Sequence, residues 1–146
     1  MNPKGVTLST LPIPNIVNPH YLHLNNMGNV IVADFNNPGQ IFVVQRNPET
    51  KVLETITHPE LKNPSGMAVD DHGNIIIACL RAGKVMVRSP ENKWSVLKIE
   101  DKELTEFTLP MAIGYIASIK KMYVSYWSDK SFSTILKSYN VFLNPL

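Results

Sequence analysis

Apolar positions in this chain fall in short, dense runs. YLHL, VIVAD and QIFVVQ are followed by MAVD, IIIA and KVMV, each bounded by Gly, Asn, Asp or Pro. Short runs rich in β-branched residues between turn formers predict strands, not helices. The turns fit this pattern. NNMGN and DDHGN read as hairpin turns in which Gly28 and Gly73 supply a positive φ. RNPETK and RSPENK read as polar turns whose Pro48 and Pro90 pre-set the backbone. VLETIT and WSVLKI then supply one further strand apiece, which makes each unit a four-stranded antiparallel meander. Strands such as IIIA and VIVA, apolar at nearly every residue, need neighbours on both faces.

The units repeat. Asn18 and Asn63, Pro19 and Pro64, Gly28 and Gly73, Asn29 and Asn74, and Ala33 and Ala78 all share a spacing of about 45 residues. After a small slip, Arg46, Pro48, Glu49 and Lys51 match Arg88, Pro90, Glu91 and Lys93. A weaker third copy begins at Leu109 and Pro110. It sets Ala112 and Ile113 against Met67 and Ala68, sets Met122 to Ser125 against Ile75 to Ala78, and puts Lys120 and Lys121 at the Gly-Asn turn. A four-stranded unit at this period is the sequence signature of a propeller blade. The expected fold is all-β, with about three propeller-type blades in a single domain: roughly 18–58, 63–99 and 109–146.

The segment NPSGMAVDDHGNIIIA followed by GKVMV resembles the NHL repeat, in which a Pro-x-Gly-φ-Ala-Val-Asp strand, a Gly-Asn turn and a second strand recur in each blade. The first copy matches at Pro19, Gly28, Asn29, Ala33 and Asp34 but carries His20 to Leu24 in place of the usual strand, and the third matches in outline. Six-bladed sugar-lactonase and regucalcin-like propellers share much of the pattern. The resemblance therefore speaks to fold, and leaves activity open between protein binding, RNA binding and calcium-dependent lactone hydrolysis.

Three blades do not close a ring, since closed propellers have about four to eight. Two copies would supply six blades around a two-fold axis. Residues 5–11, GVTLSTL, read as a spare strand that could complete the last blade of a partner, giving a homodimer through blade completion.

Composition narrows the classes. With 44% hydrophobic and 18% charged residues in 146, the chain reads as one ordinary globular domain. A formal net charge of +2 does not by itself call for a polyanionic partner. Cys79 is the only cysteine, so no internal disulfide forms, and its apolar flanks mark it as a buried structural thiol. The opening fifteen residues lack a signal-peptide core and no run is long enough to span a bilayer. The expectation is a protein with no membrane association, intracellular by default.

Function in a propeller sits on the face carrying the loops between second and third strands and between blades. Three groups there are candidate partner-binding residues. Asp34, Asn36 and Asn37 offer oxygens within a short span, which would suit a calcium ion, although such residues are also ordinary loop formers and the plainer reading is preferred. Arg81 could meet a carboxylate, a phosphate or a stacked base, or stand as a solvated loop charge. Tyr126, Trp127, Asp129 and Lys130, in YWSDKS, pair amphipathic rings with charge, against the alternative that one ring packs between blades. His20, His23, His58 and His72 lack metal-ligand spacing, so no metal site is assigned. No nucleophile elbow, phosphate loop or compact acid pair is evident, and no cofactor is called for. The acidic segment Ile99 to Phe107 reads as a connector.

The sequence thus favours a non-enzymatic binding or scaffold module with a protein partner, and RNA as a second class. A calcium-dependent lactonase-like hydrolase is one alternative. A structural subunit that completes a larger propeller is another.

Overall fold

The computed structural model describes residues 10–97, 99, 108–128 and 133–140. The first blade comprises β1 (Pro19–Leu24), β2 (Val30–Asp34), β3 (Gln40–Gln45) and β4 (Lys51–Thr57), hydrogen-bonded in chain order. The second repeats this with β5 (Pro64–Val69), β6 (Ile75–Cys79), β7 (Lys84–Arg88) and β8 (Trp94–Val96). The third contains β9 (Thr108–Ile116), β10 (Lys121–Ser128) and β11 (Ser133–Asn140) among the described residues. Every described pairing is antiparallel. This is the expected all-β fold of propeller-type blades. The expected closing strand, residues 5–11, lies mostly outside the described residues, as does all but Ile99 of the acidic connector.

The turns form as their residues dictate. Gly28 and Gly73 sit at φ +76° and +79°. Beside each, a side chain caps the hairpin from the same place. Asn25 Oδ1 accepts from the backbone N–H groups of Met27 and Asn29, and Asp70 Oδ1 accepts from those of His72 and Asn74. In the third blade the chain instead makes a short 3-10 turn at Ala117–Ile119, and Lys120 takes the left-handed position at φ 51°.

The dense apolar runs are explained by packing on both sides. In β6, Ile75, Ile77 and Cys79 point into a core shared with Ile31, Ala33, Ile41 and Ile56 of the first blade. Ile76 and Ala78, the alternate residues of the same strand, point into a second core with Ile113, Met122, Val124 and Tyr126 of the third. The side chain period of two thus splits one strand between two cores. The middle blade is clasped, and all five residues of β6 are buried.

The register of the third blade differs by one residue from the sequence alignment. Val124 pairs with Ile113 and Ser125 with Ala112, just as Ile77 pairs with Met67 and Ala78 with Gly66. Ile113 is therefore the counterpart of Met67, and Gly114 of Ala68. The longer turn before β10 moves the match by one position without breaking the inward and outward alternation.

Two ion pairs join successive blades at their hairpin ends. Arg88, 7% exposed, reaches from β7 to Glu54 on β4, with Nη1 3.3 Å from Oε2 and Nη2 paired to Oε1. Lys120 of the third blade pairs with Asp71 of the second.

Candidate functional site

The loop face is built from the entry segment before β1, the β2–β3 loop, the connection from β4 to β5 and the β6–β7 turn. Asp34 ends β2 almost wholly buried, 3% exposed. Its Oδ1 accepts from the Asn18 N–H at 2.6 Å and its Oδ2 from the Val17 N–H at 3.4 Å. Asn18 answers by donating its side-chain amide to the Phe35 carbonyl and accepting from the Phe35 N–H. Asp34 is thereby the clasp that holds the entry strand against β2. A carboxylate whose lone pairs point at backbone donors is satisfied where it stands.

Asn36 links blades through its backbone: its carbonyl accepts from the Asn63 N–H at 2.8 Å. Asn37 is exposed and precedes Pro38 through a cis peptide bond. Gly39 follows where no side chain fits, because a Cβ there would stand 2.4 Å from Pro64 Cδ and 2.8 Å from the Asp34 carbonyl oxygen. Arg81 is exposed on the β6–β7 turn, its N–H donating to the Lys62 carbonyl. Beside it Glu60 bridges Lys84 at 3.0 Å and Lys62 at 3.7 Å. The Lys84 hydrogen bond, then the Lys62 charge, hold the Glu60 carboxyl below its ordinary range.

The aromatic pair separates. Tyr126 and Trp127 belong to β10 and not to a loop, because that strand continues through Ser128. Tyr126, 3% exposed, faces the second blade within the core, its hydroxyl 3.3 Å from that of Tyr139. Trp127 alternates to the opposite face of the sheet and is half-buried there. Asp129 and Lys130 lie outside the described residues. Of the sequence candidates, the structure gathers Asp34, Asn36 and Asn37 at one blade's loop and carries Arg81 on the next.

A feature the sequence did not expose lies on the opposite, hairpin face. A groove of about 410 Å³ runs between the first two blades, lined by Asn25, Met27, Glu54, His72 and Arg88 among others. Its signal would have been the Arg88–Glu54 pair, which sequence spacing does not reveal. Cys79 is buried, and desolvation pushes its thiol up to about 12, away from the thiolate that reactivity needs. Burial likewise lowers the pKa of His23, which faces the second blade opposite Ile31.

These blades define the chain as a partial β-propeller. Among the described residues, no helix is long and apolar enough to cross a membrane. Neither a family model nor a curated protein matches it. Solved structures similar to it are propeller-type proteins. A streptogramin B lyase superposes with a TM-score of 0.59 at 12% identity, over 92% of this chain and 44% of its own. A Trichoderma reesei protein of carbohydrate-active enzyme family AA12 gives 0.62 at 14% identity, over 93% and 39%. Virginiamycin B lyase from Staphylococcus aureus, in a catalytically inactive form with quinupristin, gives 0.58 at 14%, over 89% and 44%. At such identities the likeness is one of fold. This chain spans about two-fifths of the length of those structures. The likeness is to propellers as a class and does not single out the NHL repeat.

Proposed function

We propose that this chain is a non-enzymatic binding module whose loop face receives a protein partner. The observation that carries this reading is the engagement of Asp34. The carboxylate that a calcium-dependent hydrolase would turn toward an ion instead holds the Val17 and Asn18 backbone. Asn37 and Arg81 reach solvent around it, flanked by the Glu60, Lys62 and Lys84 charges. An exposed guanidinium beside amides and a charge lattice on rigid blades is suited to recognising a polar surface. The hydrolase alternative draws on the similarity in fold to a lyase and to a carbohydrate-active enzyme, and it requires Asp34 to serve a metal.

Two measurements separate these readings. In a calcium titration followed by calorimetry, the chain is expected to give no saturable heat. Asp34→Ala is expected to lose about 1–3 kcal/mol of stability with calcium present or absent, because two backbone donors are orphaned. Saturable calcium binding that Asp34→Ala abolishes would move the chain to the hydrolase class. A photo-reactive residue at position 81 should capture protein, and one at position 27 on the hairpin face should not. Capture of RNA from position 81, or equal capture from both positions, would contradict the protein-binding reading.

A further inference from the structure

Successive blades meet through cross-strand rows of side chains, and the row nearest the hairpin ends differs between the two gaps. On the first blade that row is His23, Ile31, Val43 and Glu54, each paired with the next across the ladder. Val69, Ile75 and Arg88 form the row of the second blade that faces it. One gap further on, the equivalent row of the second blade is Ala68, Ile76, Val87 and Ser95. Opposite it stand Tyr115, Met122 and Tyr139 of the third blade. Two tyrosines thus hold the places that belong to Val69 and Arg88 in the first gap.

The consequence is a difference in filling. In the second gap Tyr115 and Tyr139 pack with Met122 against the core that contains Ala68, Ile76 and Val87. In the first, Val69 brings no ring, and the groove of about 410 Å³ stays open with Ile31, Val43, Val69 and Ile75 as its apolar wall. That volume is in the range of small-ligand sites. Met27, 80% exposed at its edge, adds a polarisable thioether of the kind that packs on aromatic rings. The accessible charge in the groove is a carboxylate. Arg88 is 7% exposed, its Nη1 and Nη2 are held by Glu54, and its Nε donates to Asn92 Oδ1 at 3.2 Å. Glu54 is 43% exposed, and an ionised carboxylate accepts at roughly four lone-pair sites, of which Arg88 takes two. Asp71, also on the lining, is answered by Lys120 of the third blade, which leaves Glu54 as the acceptor for a ligand.

We propose that this groove is a binding site for a small organic cation, an aromatic ring that carries an ammonium group. The ring takes the space between the first two blades that Tyr115 and Tyr139 fill between the second and third. Its ammonium donates to the Glu54 carboxylate, which Arg88 holds in place. Burial of the ring supplies most of the affinity, and the charge-assisted hydrogen bond to Glu54 selects a cation over an anion. The site lies on the hairpin face, so it does not depend on what the loop face binds.

The test titrates the full chain with benzylammonium, and with benzoate as its anionic counterpart, by calorimetry and by methyl NMR of Met27, Ile31 and Ile75. Benzylammonium is expected to saturate in the millimolar range, to shift those three residues and not the loop face, and to bind about tenfold more tightly than benzoate. Glu54→Gln keeps the shape of the side chain and should bring the two probes to similar affinity. Val69→Tyr places in the first gap the ring that Tyr115 places in the second, and it should abolish binding while the melting temperature holds or rises. The variants act on different parts of the site, and the wild-type shifts decide the location by themselves if either fails to fold. Absence of saturation by benzylammonium, benzoate binding as tightly, shifts outside the groove, or a folded Val69→Tyr with unchanged affinity would overturn the proposal.

Discussion

Gly66→Ala is expected to destabilise the chain by about 3 kcal/mol, at the upper end of the range for inserting atoms into a packed core. The reason lies in what surrounds the missing Cβ. Ala112 Cα at 2.6 Å, the Met111 carbonyl oxygen at 2.8 Å and the Ile113 nitrogen at 3.0 Å are all backbone atoms of β9. Flexible side chains could turn aside, but β9 is fixed by its ladder to β10. Relief requires the third blade to move as a body, which opens the core of Ala68, Ile76, Val124 and Tyr126. The Ser65 hydroxyl, 3.4 Å from the Pro110 carbonyl, would be carried out of reach as well. Thermal unfolding of Gly66→Ala and Gly114→Ala checks this directly. The second substitution has the same chemistry on the same strand face but meets no atom, and it should leave the melting temperature of the unassociated chain near wild type.

The second large effect is expected at the Arg88–Glu54 pair. Glu54→Leu leaves a guanidinium that is 7% exposed facing the first blade without its carboxylate, with Asn92 Oδ1 as its remaining described partner. Breaking a fully buried pair in this way costs roughly 3–5 kcal/mol. Glu54 is 43% exposed, so water screens part of the loss and about 2 kcal/mol is expected. Arg88→Met removes the charge while keeping the length that packs between blades, and it should cost less. The double variant should recover much of the Glu54→Leu loss, giving a coupling of about 1–2 kcal/mol between residues on different blades. Denaturant unfolding of the four proteins measures that coupling. Additive effects would mean that the pair does not tie the blades together.

What was legible in the sequence was the repeat unit, and for a definite reason. Burial on both faces removes the polar positions that a one-sided strand would show, so Ile75, Ile76 and Ile77 stand out as a block between glycine turns. The turns themselves were legible because Gly28 and Gly73 sit at positive φ, where other residues are strained. The third blade was harder to place because Lys120 does the work of that glycine after a 3-10 turn, and this slides β9 by one position against the repeat. Tyr126 and Trp127 read as loop residues because a polar segment follows them, yet β10 carries both and alternation sends them to opposite faces. The role of Asp34 depends on the Asn18 N–H, sixteen residues away in sequence. Local composition offers a cluster of oxygens there without saying which backbone groups they satisfy. Arg88 reads as the match of Arg46 in the sequence, but the ladders shift it by two positions: Arg88 pairs with Ile75 on β6 as Val44 pairs with Val30 on β2, and Arg46 lies beyond β3, where it reaches the Gly28 carbonyl. A position that is apolar in the first blade thus carries, in the second, the charge that crosses to Glu54.

Native-state amide hydrogen exchange, resolved by strand, tests most directly the claim that these are blades packed face to face with the middle one clasped on both sides. The account predicts the slowest exchange in β6 and its neighbours β5 and β7, with progressively faster exchange at β1 of the first blade and β11 of the third. Equal protection in all three blades, or faster exchange in β6 than in β1, would contradict it.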